Sequence, residues 1–195
     1  MKFITLGPTG SNHEHVTQNY LDFHGIAGKA SVALAVDFEE GAKAVLNGDA
    51  DFLIQCAVHP ATMATVAKYL NGLFVVDTFI SPSQDLAVIH RRDATRPDTL
   101  AVMKPTLDYT DASRWARIQY VDTVAEVSRG LLEGKYQAGL GFVSIAQKHP
   151  ELLQIDEFIG TVDDAWIVYG RTKVSGGKLL AWRDSPAAAI YQEMV

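Results

Sequence analysis

A single cysteine, Cys56, stands in the 195 residues, so an internal disulfide and a zinc cluster built on cysteines are both excluded. The lone thiol suits a reducing compartment, and the cytoplasm is the expected location. Basic runs are also missing. Seventeen Lys and Arg face 23 Asp and Glu, for a net charge of −6, and nucleic acid is not an expected partner. No apolar run reaches membrane-spanning length, and residues 1–6 are too short for a signal-peptide core, so no membrane partner is expected either. Low-complexity tracts are absent. What remains is a chain that is 48% hydrophobic, enough to bury a core as one compact unit or two small lobes.

The most informative stretch is the first. Lys2-Phe3-Ile4-Thr5-Leu6 reads as a strand, Gly7-Pro8-Thr9-Gly10 as a turn, and Ser11-Asn12-His13 as the start of a helix. Glycines permit a sharp turn, and the helix start presents unpaired N–H groups that suit a carboxylate. The same pattern also serves as a plain β-to-α connection.

Further along, apolar runs at residues 30–36, 52–55, 73–80, 85–90, 100–103, 118–121, 138–142 and 166–170 read as strands, most of them separated by helical patterns. Such alternation predicts an α/β fold with parallel βαβ units. One internal echo supports two lobes of similar design. Asp37-Phe38-Glu39-Glu40 opens a helix with a capping box, which runs through Val45-Leu46, stops at Gly48 and feeds Phe52-Leu53-Ile54. Thr123-Val124-Ala125-Glu126 repeats the plan through Leu131-Leu132 and Gly134 into Ala138-Gly139-Leu140. Residues 81–84 and 91–97 are candidate crossings between lobes, and hinges are expected near 80–84 and 158–164.

In open α/β sheets, ligands lie beyond the C-terminal strand ends. That rule gathers Thr9, Gly10, Ser11, Asn12, Gln55, Lys104, Thr106, Thr123 and Gly141 around one crevice, with a small anionic substrate as its expected occupant. Each has an ordinary structural role as well: Thr123 caps a helix, and Lys104 can be a solvated lysine before a proline.

In this order, the segments resemble the catalytic domain of the prephenate dehydratase family. Thr5-Leu6-Gly7-Pro8-Thr9-Gly10-Ser11 is similar to that family's opening Leu-Gly-Pro-x-Gly-Thr-Phe-Ser. Asn47 to Ile54 resembles its Gly-x-x-Asp approach to a strand, Val102-Met103-Lys104-Pro105 its Val-x-Ser-His-Pro segment, and Asp122-Thr123-Val124-Ala125 its Ser-Thr-x-Ala helix start. The resemblance implies the type 2 periplasmic-binding-protein fold, two similar α/β lobes around a central cleft. Residues 1–80 with 160–195 would form one lobe and 81–159 the other. It also implies a homodimer.

Departures from the pattern narrow the expected chemistry. The family's Pro-x-Glu-Asn-Ser is replaced by Gln55-Cys56-Ala57-Val58-His59, and its Thr-Arg-Phe by Asp164-Ala165-Trp166. The threonine that assists loss of hydroxide has no counterpart in kind. The stretch after Gly170 is too short for the regulatory ACT domain of ~70 to 80 residues that such enzymes often carry, so phenylalanine feedback is not expected. Short, degenerate members of this kind resemble the prephenate decarboxylase of bacilysin-type antibiotic pathways or the dehydratase-like proteins of tropone antibiotic pathways.

The expected activity is therefore that of a secondary-metabolism lyase, a non-aromatising decarboxylase of prephenate or a related cyclic carboxylate. The alternatives are a non-catalytic carboxylate-binding protein, and a divergent dehydratase or tropone-pathway enzyme that uses Asp164. His13 is the first candidate proton donor and His59 the second, because imidazole titrates near neutral pH. Asp164 is a candidate acid or base, or one of a solvated pair with Asp163. Trp166 either walls the pocket or packs in the core. His24, His90 and His149 read as surface or structural, and Tyr109 and Trp115 as the apolar face of a helix. No cofactor is expected. His13 and His15 flank Glu14 without the i, i+4 spacing of a metalloprotease helix, so no metal is expected.

Overall fold

The structure, a computed structural model, describes residues 1–194. Its ten strands form two five-stranded sheets of the same plan. The first has the order β2 (Ser31–Ala35), β1 (Lys2–Leu6), β3 (Phe52–Cys56), β10 (Asp163–Gly170), β4 (Phe74–Pro82). The second has the order β7 (Arg117–Val121), β6 (Thr99–Met103), β8 (Ala138–Phe142), β5 (Leu86–Arg91), β9 (Leu153–Gly160). Four strands of each sheet run the same way, and the fourth in each order, β10 or β5, runs antiparallel to both of its neighbours. The sheets are thus mixed rather than built only of parallel βαβ units. The chain passes to the second sheet between Pro82 and Leu86, and returns between Gly160 and Asp163.

Helices cover the sheet faces. On the first sheet, α1 (Asn12–Phe23) sets Val16 and Leu21 against Phe3, Ile54, Trp166 and Val168. The opposite face carries α2 (Phe38–Asn47), whose Phe38, Ala42 and Val45 meet Ile4, Leu53 and Tyr169; α3 (Thr62–Tyr69) follows β3. On the second sheet, α4 (Val124–Leu132) and α5 (Val143–Lys148) bury Val127, Leu131, Val143 and Ala146 against Ala87, Ile89 and Leu153. A last helix, α6 (Pro186–Glu193), buries none of its residues.

The echo between α2 and α4 is present in three dimensions. Asp37 Oδ1 accepts from Glu40 N and Thr123 Oγ1 from Glu126 N, so each caps its helix. Gly48 (φ 85°) and Gly134 (φ 75°) take the left-handed conformation that ends each helix, which glycine adopts at least cost. Beyond them lie β3 and β8, the central strands of their sheets.

Two local expectations fail. β9 is absent from the expected strands, because Leu153-Gln-Ile-Asp-Glu-Phe-Ile-Gly mixes acids with its apolar residues, as suits an exposed sheet edge. Between β6 and β7 there is no α-helix. Two short 3-10 turns (Lys104–Tyr109 and Ala112–Arg114) fill that space, so Tyr109 and Trp115 do not lie on a helix face.

Candidate functional site

The turn after β1 is built to hold itself. Gly7 N donates to Ala35 O at 2.9 Å, and Gly10 has φ 80°, which favours glycine. Ser11 Oγ donates to Leu6 O and accepts from Glu14 N at 3.2 Å. Glu14 Oε2 reaches back to Gly10 N at 2.6 Å and completes a capping box. The second helix start repeats this. Glu126 Oε2 accepts from Asp122 N at 3.3 Å, while its Oε1 accepts from Lys135 Nζ and Tyr136 Oη. At both positions offered to a ligand anion, the chain has placed a carboxylate of its own. A substrate carboxylate on Gly10 N would have to displace Glu14.

Beside the first turn lies an aromatic cluster with two histidines. The His13 ring is 5.0 Å from Trp166, 5.4 Å from Phe38 and 5.8 Å from His59, and Phe38 stands 4.9 Å from His59. His13 Nε2 is buried and makes no hydrogen bond. Burial first, and the neighbouring His59 second, pull its pKa from 6.5 to about 3, so the ring is neutral at pH 7. Burial also lowers the His59 pKa. His59 Nδ1 accepts from Ala61 N at 3.1 Å, which leaves the proton of the neutral ring on Nε2. Of the two, His59 keeps a donor with no partner inside its own turn.

Asp164 is tied to the chain crossings. Ser83 Oγ donates to Asp164 Oδ2 at 2.7 Å and accepts from Asn12 Nδ2 at 3.1 Å. Asn12 Oδ1 accepts from Gln84 N at 3.0 Å, and Gln84 Nε2 donates to Gly10 O at 3.3 Å. Thr161 Oγ1 donates to Ser83 O, and Ser83 N to Val162 O. Tyr109, carried by the second sheet's 3-10 turn, lies close enough to feel charge on Asp164 and Cys56; burial first and those two groups next push its phenol up. Burial raises the Cys56 thiol, and Asp164 adds to the shift, so the thiol stays protonated and inert.

The remaining candidates are scattered in role. Thr9 and Lys104 are exposed. Thr106 is buried, with Oγ1 donating to Met103 O. Gly141 is buried in β8, where an added Cβ would come within 3.2 Å of Ser128 Oγ. Gln55 and Trp166 have no exposed surface: Gln55 Nε2 donates to Thr65 Oγ1, and Trp166 supports His13 from inside the core. A hollow of about 430 Å³ opens beside the crossings, lined by His15, Ser83, Gln84, Asp85, Ser144, Gln147 and Thr161 among others. A second, of about 310 Å³, lies by His90, Arg96, Arg114, Trp115 and Asp156. Neither is lined by Gly10, Lys104 or Thr123.

Glu14, Phe38, Ser83, Gln84 and Tyr109 were not among the expected site residues. Glu14, three places after Ser11, was open to recognition by the capping-box spacing. Among the described residues, no group of three His, Cys, Asp or Glu is placed to hold a metal ion, and no helix is long and apolar enough to cross a membrane.

No protein-family model matches the chain, and no curated protein matches it. Solved structures do. A prephenate dehydratase from Arthrobacter aurescens, in complex with L-Phe, superposes with a TM-score of 0.68 at 17% identity, covering 97% of this chain and 70% of its own. The prephenate dehydratase of Staphylococcus aureus gives 0.63 at 13% identity, covering 89% of this chain and 67% of its own. The periplasmic VFT2 domain of BvgS from Bordetella pertussis gives 0.52 at 13% identity, covering 87% and 80%. At such identities the likeness is one of fold: two α/β lobes, prephenate-dehydratase-like and periplasmic-binding-protein-like.

Proposed function

We propose that this chain is a prephenate-dehydratase-like lyase of secondary metabolism, working in the cytoplasm. Its reaction would be non-aromatising decarboxylation of prephenate or a related cyclic carboxylate. The observation that carries this reading is the approach of groups from the two sheets, Tyr109 from one within reach of the charge on Asp164 and Cys56 from the other.

In such a reaction the ring-to-carboxylate bond breaks, carbon dioxide leaves, and the electron pair moves into the ring to be protonated at carbon. His59 is the proposed donor. A dianion bound beside it opposes the effect of burial and raises its pKa, so the imidazolium forms on the bound substrate. His13 stays neutral behind it and adds no second positive charge. The 4-hydroxyl of prephenate would be retained, because Asp164, in the place of the threonine that would assist its loss, is engaged through Oδ2 by Ser83 Oγ.

A second reading, a carboxylate-binding protein without turnover, is favoured by the likeness of fold to the periplasmic VFT2 domain, while Glu14 and Glu126 at the two helix starts count against a ligand carboxylate at those positions. One assay separates these. Purified protein is incubated with prephenate and the products followed by mass. Loss of carbon dioxide alone supports the decarboxylase, and loss of water as well supports a divergent dehydratase. Binding without turnover supports the carrier, and neither turnover nor binding removes prephenate from consideration.

A further inference from the structure

Where α1 seals one face of the first sheet, the matching face of the second, with Val88, Leu100 and Val102, is covered by the turns that carry Leu107 and Trp115. Beside this lighter cover lies the hollow of about 310 Å³ whose lining includes His90, Arg96, Pro97, Arg114, Trp115 and Asp156. It is remote from the crossings between the lobes. His90 stands at the end of β5 away from Leu86, and Pro97 precedes β6.

The charges around this hollow do not balance. Its carboxylates are already engaged: Asp156 and Glu157 pair with Arg114 at 2.9 and 2.7 Å, Asp93 with Arg91 at 2.7 Å, and Asp98 with Arg117 at 3.0 Å. Among the described residues, Arg96 pairs with none of them. In a chain of net charge −6, one guanidinium on the wall of a hollow is thus left without a counter-charge. Arg96 is also the one non-glycine residue of the described chain with a positive φ, 54°. That left-handed conformation is costly for a residue with a Cβ, and such outliers gather at ligand clamps.

We propose that this hollow is a second ligand site, for a small monocarboxylate with a compact apolar body. The planar guanidinium of Arg96 takes the carboxylate through two parallel hydrogen bonds, a pairing that suits its fixed fork of donors. Trp115 and Pro97 receive the body, and the volume leaves room for roughly ten non-hydrogen atoms. Asp156 on the same wall repels a dianion, so an anion of single charge is preferred over phosphate. The site stands apart from the reaction assigned above, which uses none of these residues.

The test is a titration of the ¹⁵N-labelled full chain with benzoate, followed by the indole N–H signals of its three tryptophans. The Trp115 signal is the one that Trp115→Phe removes. It should shift saturably with benzoate below about 10 mM, and Arg96→Gln should weaken the binding at least tenfold. Arg96 is exposed, so the circular dichroism and melting of that variant should be unchanged. Acetate, which lacks the apolar body, should bind at least tenfold more weakly than benzoate, and inorganic phosphate should not displace it. A Trp115 signal that benzoate leaves in place overturns the proposal, as does a shift that Arg96→Gln does not weaken. Equal binding of acetate, or displacement by phosphate, overturns the assigned ligand class.

Discussion

The two halves of the molecule share one sheet plan but differ at the same place in it. In the first, the crossover from β1 to β2 is the 12-residue helix α1; in the second, the crossover from β6 to β7 is made of 3-10 turns. The helix seals its sheet face with Val16 and Leu21, and puts His13 on top of Trp166. The turns leave the equivalent face to Leu107 and Trp115, and offer Tyr109 to the other half. One half thus supplies buried, titratable chemistry and the other a lighter cover. A shared architecture sets where strands end, while the crossover decides what stands at those ends.

The sharpest way to break this contrast is through its two tryptophans. Trp166 is fully buried, so Trp166→Ala should cost roughly 3 to 5 kcal/mol in urea unfolding. Trp115→Ala, from a half-buried position, should cost clearly less; equal losses would mean the halves are sealed alike.

A pH titration of stability probes the same asymmetry. The His13 pKa is about 3 in the folded chain and ordinary when unfolded, so below about pH 6.5 the unfolded state takes up the proton and the folded state does not. Stability is therefore full above the unfolded pKa and falls as pH drops, by about 3 kcal/mol between pH 7 and pH 4 from this group. His13→Gln should flatten that part of the profile. A profile that the substitution leaves unchanged would show that His13 is not held neutral.

The smallest effect tests what the halves have in common. Ser11→Ala and Thr123→Ala each remove one helix cap of the same design, and each should cost about 1 kcal/mol. A difference well beyond that figure would show that one helix start does more than cap.

Much of the plan was legible in the residues. The capping boxes at Asp37 and Thr123, the glycine stops at Gly48 and Gly134, and the apolar runs of β3 and β8 all act through neighbours in sequence. The parts that were not legible depend on distant partners. Strand direction in β5 and β10 is set by where the chain returns, and β9 hides its periodicity behind Asp156 and Glu157, which pair with Arg114. The site followed the same division. Ser11, Asn12, His13, Asp164 and Trp166 were candidates in the sequence, yet that His13 stacks on Trp166 and that Ser83 joins Asn12 to Asp164 depends on remote strands and crossings. The burial of Gln55 and Trp166 is a property of the sheet, which no local pattern carries.

Ser83 belongs mechanically to the first half, although it lies on the way out of it. Asn12 and Asp164 hold its side chain, Val162 and Thr161 hold its backbone, and Gln84 is fastened to Asn12 and Gly10. The outgoing and returning crossings are thereby fastened to each other, and the second sheet takes hold at once beyond them, where Asp85 O accepts from Val143 N at 2.9 Å and Gly160 pairs with Leu86.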